Sequence, residues 1–342
     1  MKFDVVVGNP PYQDNINNRG EQPAIYNYFY DFAKQIGEKY CIVSPARFLF
    51  NVGSTPKKWN KEMISDPHIK VTYFNASASE LFPNTDIKGG IVILYRDAER
   101  TVGPIGFFTN HEELNTILKK VINSNFKSIN QILFSNTSYR YDSTLWEENP
   151  ELKKRVSGGS MRYLTSSVFK NLHEIFYDDK PKDGRDYVQI LGRQNNTRVF
   201  KWMRRSYLKS HPNIDKYKVL VSSSNGSGRL GEVLAAPIVE KPNQGYTETF
   251  ISFGAFSEQE TAYNLVKYLK TKFARTMLGI KKVTQGNKTK EVWSKVPLQD
   301  FTSASDINWQ SSISEIDKQL FKKYGLNREE VLFITDTISE MK

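Results

Sequence analysis

The chain has 342 residues, 39% of them apolar and 25% charged, a balance that excludes a disordered chain and predicts about two domains. Its formal net charge is +11, and its single cysteine, Cys41, excludes an internal disulfide framework and a cysteine-rich zinc site. The histidines at 68, 111, 173 and 211 make no metal spacing, no apolar run is long enough to span a bilayer, and no signal-peptide pattern opens the chain, so a cytoplasmic protein is expected.

Residues 3–7, Phe-Asp-Val-Val-Val, read as a short buried strand, ended by Gly8 and two prolines. Tyr26, Phe29, Phe32 and Ile36 recur at helical spacing, and Gly37 closes that helix. Residues 40–43 form a second strand with Ser44-Pro45 at its end, 57–65 read as a helix, and 69–74 and 90–95 as two further strands. This alternation predicts an α/β fold with a largely parallel sheet over residues 1–125. Residues 126–160 read as a connection with one helix. From 186 onward short β-like runs dominate, at 187–191, 198–202, 217–222, 237–240 and 247–253. One helix over 258–278 interrupts them, and helices near 313–324 and 327–340 close the chain. Residues 161–342 are therefore expected to form a mostly β domain with C-terminal helices.

The charge is not spread evenly. Residues 185–300 hold 20 Lys and Arg against 9 Asp and Glu, while the remainder holds 28 of each sign. An excess confined to one block is the footprint of a nucleic-acid-binding domain, or of a basic solvated surface. Within it Arg193, Asn195 and Arg198 lie between two strands, where guanidinium and amide groups suit base edges. Lys201, Arg204 and Arg205 flank Trp202 and suit phosphates. Asn225 and Arg229 fall in a Gly-rich loop, and Lys281, Lys282, Gln285 and Lys288 follow a helix.

Chemistry is concentrated at Asn9-Pro10-Pro11-Tyr12, which leaves the end of the first strand, the edge at which open α/β sheets bind ligands. Two prolines lock φ and force Asn9 into an extended conformation. Neither has an N–H, so rigid carbonyls and the Asn9 side chain offer acceptors for an amino group, with Tyr12 as a flat wall beside them. An exocyclic base amine held by two such acceptors is drawn toward tetrahedral geometry and becomes nucleophilic. A base inside a duplex must be flipped out to reach such a site.

The segment Phe3 to Tyr12 resembles the catalytic motif of adenine-N6 DNA methyltransferases of type II and IIG restriction–modification systems. Tyr40 to Leu49 is similar to that family's next strand and its Pro-containing turn. Leu81-Phe82-Pro83-Asn84, followed by residues 89–94, resembles the segment whose aromatic side chain stacks on the flipped adenine, a role that falls on Phe82. Lys218 to Val221, Asn225 to Gly228, Thr247 to Phe250, Tyr268 to Phe273 and Val296 to Phe301 resemble a target-recognition domain. The resemblance implies a partial Rossmann-like methyltransferase sheet, double-stranded DNA as partner and S-adenosylmethionine as methyl donor. In the family a cofactor-binding half normally precedes the motif, so a partner polypeptide is expected to supply it, or a restriction subunit to accompany the chain. An incomplete sheet is then expected to leave an open edge and an exposed apolar face.

Gly226, Gly228 and Gly231 form a literal G-x-G-x-x-G after a strand, but too few residues follow for a crossover helix, so a DNA-contacting or structural loop is the better reading. Asp142 with Glu151 and Lys153 mimics a nuclease cluster but reads as a solvated helix face. Two competing functions remain: a truncated methyltransferase remnant or DNA-binding specificity module without catalysis, and methylation of an RNA or protein amide.

Overall fold

The computed structural model describes residues 3–13, 23–51, 53–75, 78–80, 82, 87, 90–109, 111–195, 197–226, 230–282 and 285–341. The chain divides into two compact units, Met1–Asn115 and Thr116–Lys342.

The first unit holds one sheet. Strand β1 (Phe3–Gly8) leads into helix α1 (Tyr26–Ile36), then β2 (Gly37–Pro45), α2 (Lys57–Ser65), β3 (Ile69–Asn75) and β4 (Ile91–Asp97). The sheet order is β1-β2-β4-β3. Strand β1 runs parallel to β2, whereas β4 lies antiparallel to both β2 and β3. The expected largely parallel sheet is thus corrected: β1, β2 and β3 share a direction, and β4 is inserted between β2 and β3 against it. The cause is the β3–β4 connection, which among its described residues holds only a 3-10 turn (Ala78–Glu80) and no crossover helix for a parallel return.

Gly37 closes α1 as its C-cap, as the sequence predicts, extended at φ −124°, and opens β2. Its lack of a side chain is required by packing, since an added Cβ would lie 2.6 Å from the Val6 side chain. Both helices cover the same face of the sheet. Tyr26 and Tyr30 of α1, Trp59 of α2, Phe48, and Tyr40 and Ile42 of β2 form one core, against which Val6 packs. Phe3, Val5 and Val7 alternate with Val6 and therefore point to the other face, where they are 55%, 50% and 75% exposed.

Helix α3 (Glu112–Asn123) crosses from one unit into the next. The second unit continues with β5 (Leu133–Phe134), α4 (Ser143–Glu148) and the short α5 (Val168–Asn171). The hairpin β6 (Tyr187–Gln194) and β7 (Thr197–Arg204) follows, then β8 (Tyr217–Ser222), β9 (Ile238–Glu240), β10 (Gln244–Tyr246) and β11 (Phe250–Phe256). These strands form two sheets, β10-β6-β7 and β5-β11-β8-β9. The single helix expected over 258–278 is two, α6 (Gln259–Lys270) and α7 (Lys272–Gly279). The break is made at Thr271, whose hydroxyl accepts from Ala274 N, and by Asp317, which accepts from the amides of Lys272 and Phe273 at 2.9 Å each. Helices α8 (Ile313–Lys323) and α9 (Arg328–Thr337) complete the fold; Asn327 and Glu330 close a capping box on α9.

Candidate functional site

Asn9, Pro10, Pro11 and Tyr12 leave β1 at its carboxyl end, as the sequence predicts. Because β1, β2 and β3 point the same way, the turn after Pro45 and the connection 76–90 leave from that same sheet edge. Ala46 N donates to Gly90 O at 2.9 Å, which ties those two connections together. Ile25 N donates to Tyr12 O at 3.2 Å, which ties the end of the motif to the start of α1.

Within the motif, Pro10 is buried and Asn9 and Pro11 are exposed. Tyr12 is half-buried against the α1–α2 core, and burial raises its phenol pKa, so it stays a neutral donor. Its hydroxyl donates to Asn9 Oδ1 at 2.7 Å. A carbonyl oxygen has two lone pairs, so this bond still leaves Asn9 Oδ1 able to accept from a base amine. Phe82 lies in the connection at the same sheet edge, half-buried, with its amide donating to Ala78 O at 2.9 Å.

The basic candidates separate into three groups. Arg193, Asn195 and Arg198 stand exposed at the tip of the β6–β7 hairpin. Arg193 and Arg198 are directly opposed across it, and Asn195 turns the chain at φ +50°. The Arg198 guanidinium also lies 5.7 Å from the Phe250 ring centroid. The second group is neutralised. Lys201 Nζ contacts Asp178 at 2.6 Å, Arg204 pairs with Glu148, and Lys281 contacts Glu291 at 2.6 Å. Arg205 makes a bidentate pair with Asp215 at 2.9 and 2.6 Å, and that pair holds the carboxyl of Asp215 below its usual range.

The third group joins two loops into one. Asn225 N donates to Gln285 O, Asn287 N donates to Ser223 O, and Asn287 Nδ2 donates to Asn225 Oδ1. Asn225 Nδ2 is held by Val233 O at 3.0 Å. Lys282, only 7% exposed, donates to Asn225 O at 3.0 Å, and burial lowers its pKa. Asn225 and Lys282 thus brace this junction, whereas Gln285 and Lys288 are exposed on it. Arg229 and Gly228 lie outside the described residues. The acidic partners were not visible from the sequence because Glu148 and Asp178 lie 56 and 23 residues from the cations they meet.

The described residues around the Gly-rich loop do not make the crossover of a nucleoside-cofactor site. Strand β8 before it and β9 after it are antiparallel neighbours, with no crossover helix among the described residues between them. Gly231, at φ +91°, is packed so that an added Cβ would lie 2.2 Å from Thr337 O. Asp142 caps α4 by accepting from Thr144 N, and no cluster able to hold a metal ion occurs among the described residues. Among them, too, no helix is long and apolar enough to cross a membrane.

Residues 1–82 match the model of the Eco57I restriction-modification methylase family. A Mycoplasma pneumoniae protein described as an uncharacterized adenine-specific methylase is 30% identical over 95 residues, which cover 27% of this chain and 22% of that protein. These matches bear out the resemblance read from the segment around Asn9–Tyr12. Two solved structures are also similar. The type IIG restriction endonuclease BpuSI is 11% identical, with 98% of this chain and 54% of that one covered and a TM-score of 0.30. The type IIL restriction-modification enzyme MmeI, solved in complex with DNA, is 10% identical, with 98% and 56% covered and a TM-score of 0.30. The chain spans about a fifth of the curated relative and about half of each solved chain.

Proposed function

We propose that this chain is the base-binding and target-recognition component of a DNA adenine-N6 methyltransferase in a restriction–modification system. The observation that carries the reading is the Asn9–Tyr12 turn at the carboxyl edge of β1, within the segment that matches the methylase family. Asn9 Oδ1, steadied by the Tyr12 hydroxyl at 2.7 Å, and the Pro10 carbonyl accept the two N–H groups of the target amine. Pro11 keeps the turn rigid. Tyr12 and Phe82, from two connections at one sheet edge, bracket the flipped adenine. The first unit is then the catalytic half of a Rossmann-like methyltransferase sheet. The second is the target-recognition domain, whose contacts to duplex DNA come from Arg193, Asn195, Arg198, Gln285 and Lys288.

The methyl donor is S-adenosylmethionine. We assign its site to a further part of the enzyme, on a partner polypeptide. The open edge of β1 and the exposed Phe3, Val5 and Val7 support that assignment, because an added layer would cover them.

Methyl transfer from labelled S-adenosylmethionine to mixed-sequence duplex DNA tests the reading, with and without the product of the neighbouring reading frame. The expected result is N6-methyladenine only with the partner, lost by at least about 100-fold in Asn9→Ala. Full transfer by Asn9→Ala overturns the site. DNA binding without transfer under every condition favours the second reading, a DNA-binding module without catalysis.

A further inference from the structure

Asn287 is fully buried, although Gln285 and Lys288 in the same loop are exposed. Its bonds join the end of β8 to the core of the second unit. The Asn287 amide donates to Ser223 O at 2.8 Å, and its side-chain Nδ2 donates to Ser222 O at 3.2 Å and to Asn225 Oδ1 at 2.5 Å. Its carbonyl oxygen accepts from Trp293 Nε1 at 2.7 Å, and Trp293 is itself buried edge-on to Phe253 of β11. Both partners of the side-chain nitrogen are acceptors, so the orientation of the amide is fixed. Its Oδ1 is then buried with no hydrogen-bond partner among the described residues, a cost that an apolar side chain at 287 would avoid.

Asn225 extends the relay of amides. With its Oδ1 taken by Asn287, its Nδ2 donates to Val233 O at 3.0 Å, and its backbone oxygen accepts from Lys282 Nζ at 3.0 Å. Its backbone N donates to Gln285 O at 2.8 Å, which fixes the Gln285 backbone and leaves that residue exposed. We propose that Asn287 is the positioning residue of the recognition surface, locking residues 222–226 and 285–288 into one platform that presents Gln285 and Lys288 to the duplex together. This rests on the DNA reading above, in which those two side chains touch DNA. A side-chain amide reads an adenine edge through two hydrogen bonds at once, which tolerates little displacement, whereas attraction of a lysine to phosphates tolerates more. Loss of the Asn287 bonds therefore removes sequence preference before it removes affinity.

Selection of the full chain against a random duplex library tests the assignment, with wild type beside Gln285→Ala, Asn287→Ala and Asn225→Ala. Gln285→Ala should lose about 10- to 100-fold in preference at one position of the selected motif. Asn287→Ala should lose about 10-fold or more at that same position. The Gln285→Ala/Asn287→Ala double variant should lose no more there than Gln285→Ala, because nothing is left to position. Asn225→Ala, at a half-buried site, removes one acceptor of Asn287 and should show the same loss; it decides the question if Asn287→Ala does not fold. Asn225→Asp keeps an oxygen for Asn287 and should recover most of the preference. An unchanged motif in Asn287→Ala and Asn225→Ala with circular dichroism matching wild type, or a uniform weakening of all sequences, marks the buried amide as structural only and overturns the inference. An unchanged motif in Gln285→Ala overturns it too, and in each case the DNA reading stands. Failure of the wild-type chain to retain any duplex overturns both.

Discussion

The two units handle their apolar surface in opposite ways. In the first, β1 sits at the sheet edge with three apolar side chains turned away from the core under α1 and α2, which lie on the other face. In the second, the central strand β8 buries Val219, Leu220 and Val221 completely, β11 buries Phe250, Ile251 and Phe253, and helix α6 packs against both strands. Four basic candidates of the second unit, Lys201, Arg204, Arg205 and Lys281, are paired with its own carboxylates. The first presents backbone and apolar groups that a further layer would cover. An open sheet edge with exposed apolar side chains in one unit and closely packed strands in the other are what the proposed division between a base-binding half and a recognition domain calls for.

Deleting matched side chains from the two units is the strongest way to break that comparison. Phe253 is fully buried and meets Trp293 edge-on at 4.7 Å. Phe253→Ala should cost about 3–5 kcal/mol in urea unfolding. The same deletion at Phe3, more than half exposed, should cost less than about 1 kcal/mol. Equal losses would mean that β1 is as well packed as β11. Next in size is Gly231→Ala, which sets a Cβ against Thr337 O and a side chain on a φ of +91°. It should destabilise the second unit by about 2 kcal/mol or more and loosen α9, read as faster amide exchange in Arg328–Thr337.

A smaller effect separates the units by pH. Lys218 and Glu240 are opposed across β8 and β9, both buried, and neither carboxylate oxygen of Glu240 has a hydrogen-bond partner among the described residues. Lys218 Nζ is held by the carbonyls of Lys216 and Lys241 at 3.0 and 3.2 Å. Burial pushes the Glu240 carboxyl up to about 7 and the Lys218 amine down to about 8, each against the pull of the other charge. A raised carboxyl pKa means that the folded chain keeps a proton that the unfolded chain has shed. Its stabilising contribution is therefore full below about pH 4.5 and is lost as the pH rises to about 7. Glu240→Gln should be more stable than wild type at pH 7 by about 1–2 kcal/mol and lose that advantage near pH 4.5, measured by thermal unfolding across the range. A pH-independent difference would mean that Glu240 is hydrated rather than buried.

Much of this was legible in the sequence, for local reasons. β1 to β4 and β6 to β9 follow apolar runs of strand length, and the Asn9–Tyr12 turn is dictated by two consecutive prolines. Strands β5 and β10, two and three residues long, leave no periodic signal. The break at Thr271 was hidden because Leu269, Phe273 and Met277 continue one apolar stripe, while the carboxylate that captures the new amides, Asp317, lies 44 residues from Phe273. The direction of β4 is set by a connection rather than by its own residues. At the interface, the sequence located the basic block but not which cations it neutralises, since each ion pair depends on a partner brought in by the fold.

The smallest change in stability should come from β1 itself, and it bears most directly on what the first unit lacks. Val5 and Val7 point away from the core, so Val5→Thr with Val7→Thr keeps the β-branched shape and strand propensity while removing exposed apolar surface. The melting temperature should move by no more than about 2 °C. Self-association should fall, because an edge strand with unpaired backbone groups and an apolar face recruits other chains unless polar groups blunt it. Sedimentation velocity over a concentration series reads the difference. If the partner polypeptide covers this face, the same double variant should also bind it about 10-fold or more weakly, since the two side chains would lose burial on assembly. Weaker self-association with undiminished partner binding would mean that the partner docks elsewhere, and the open edge of β1 would then be a hazard of the isolated chain rather than the seam of the proposed assembly.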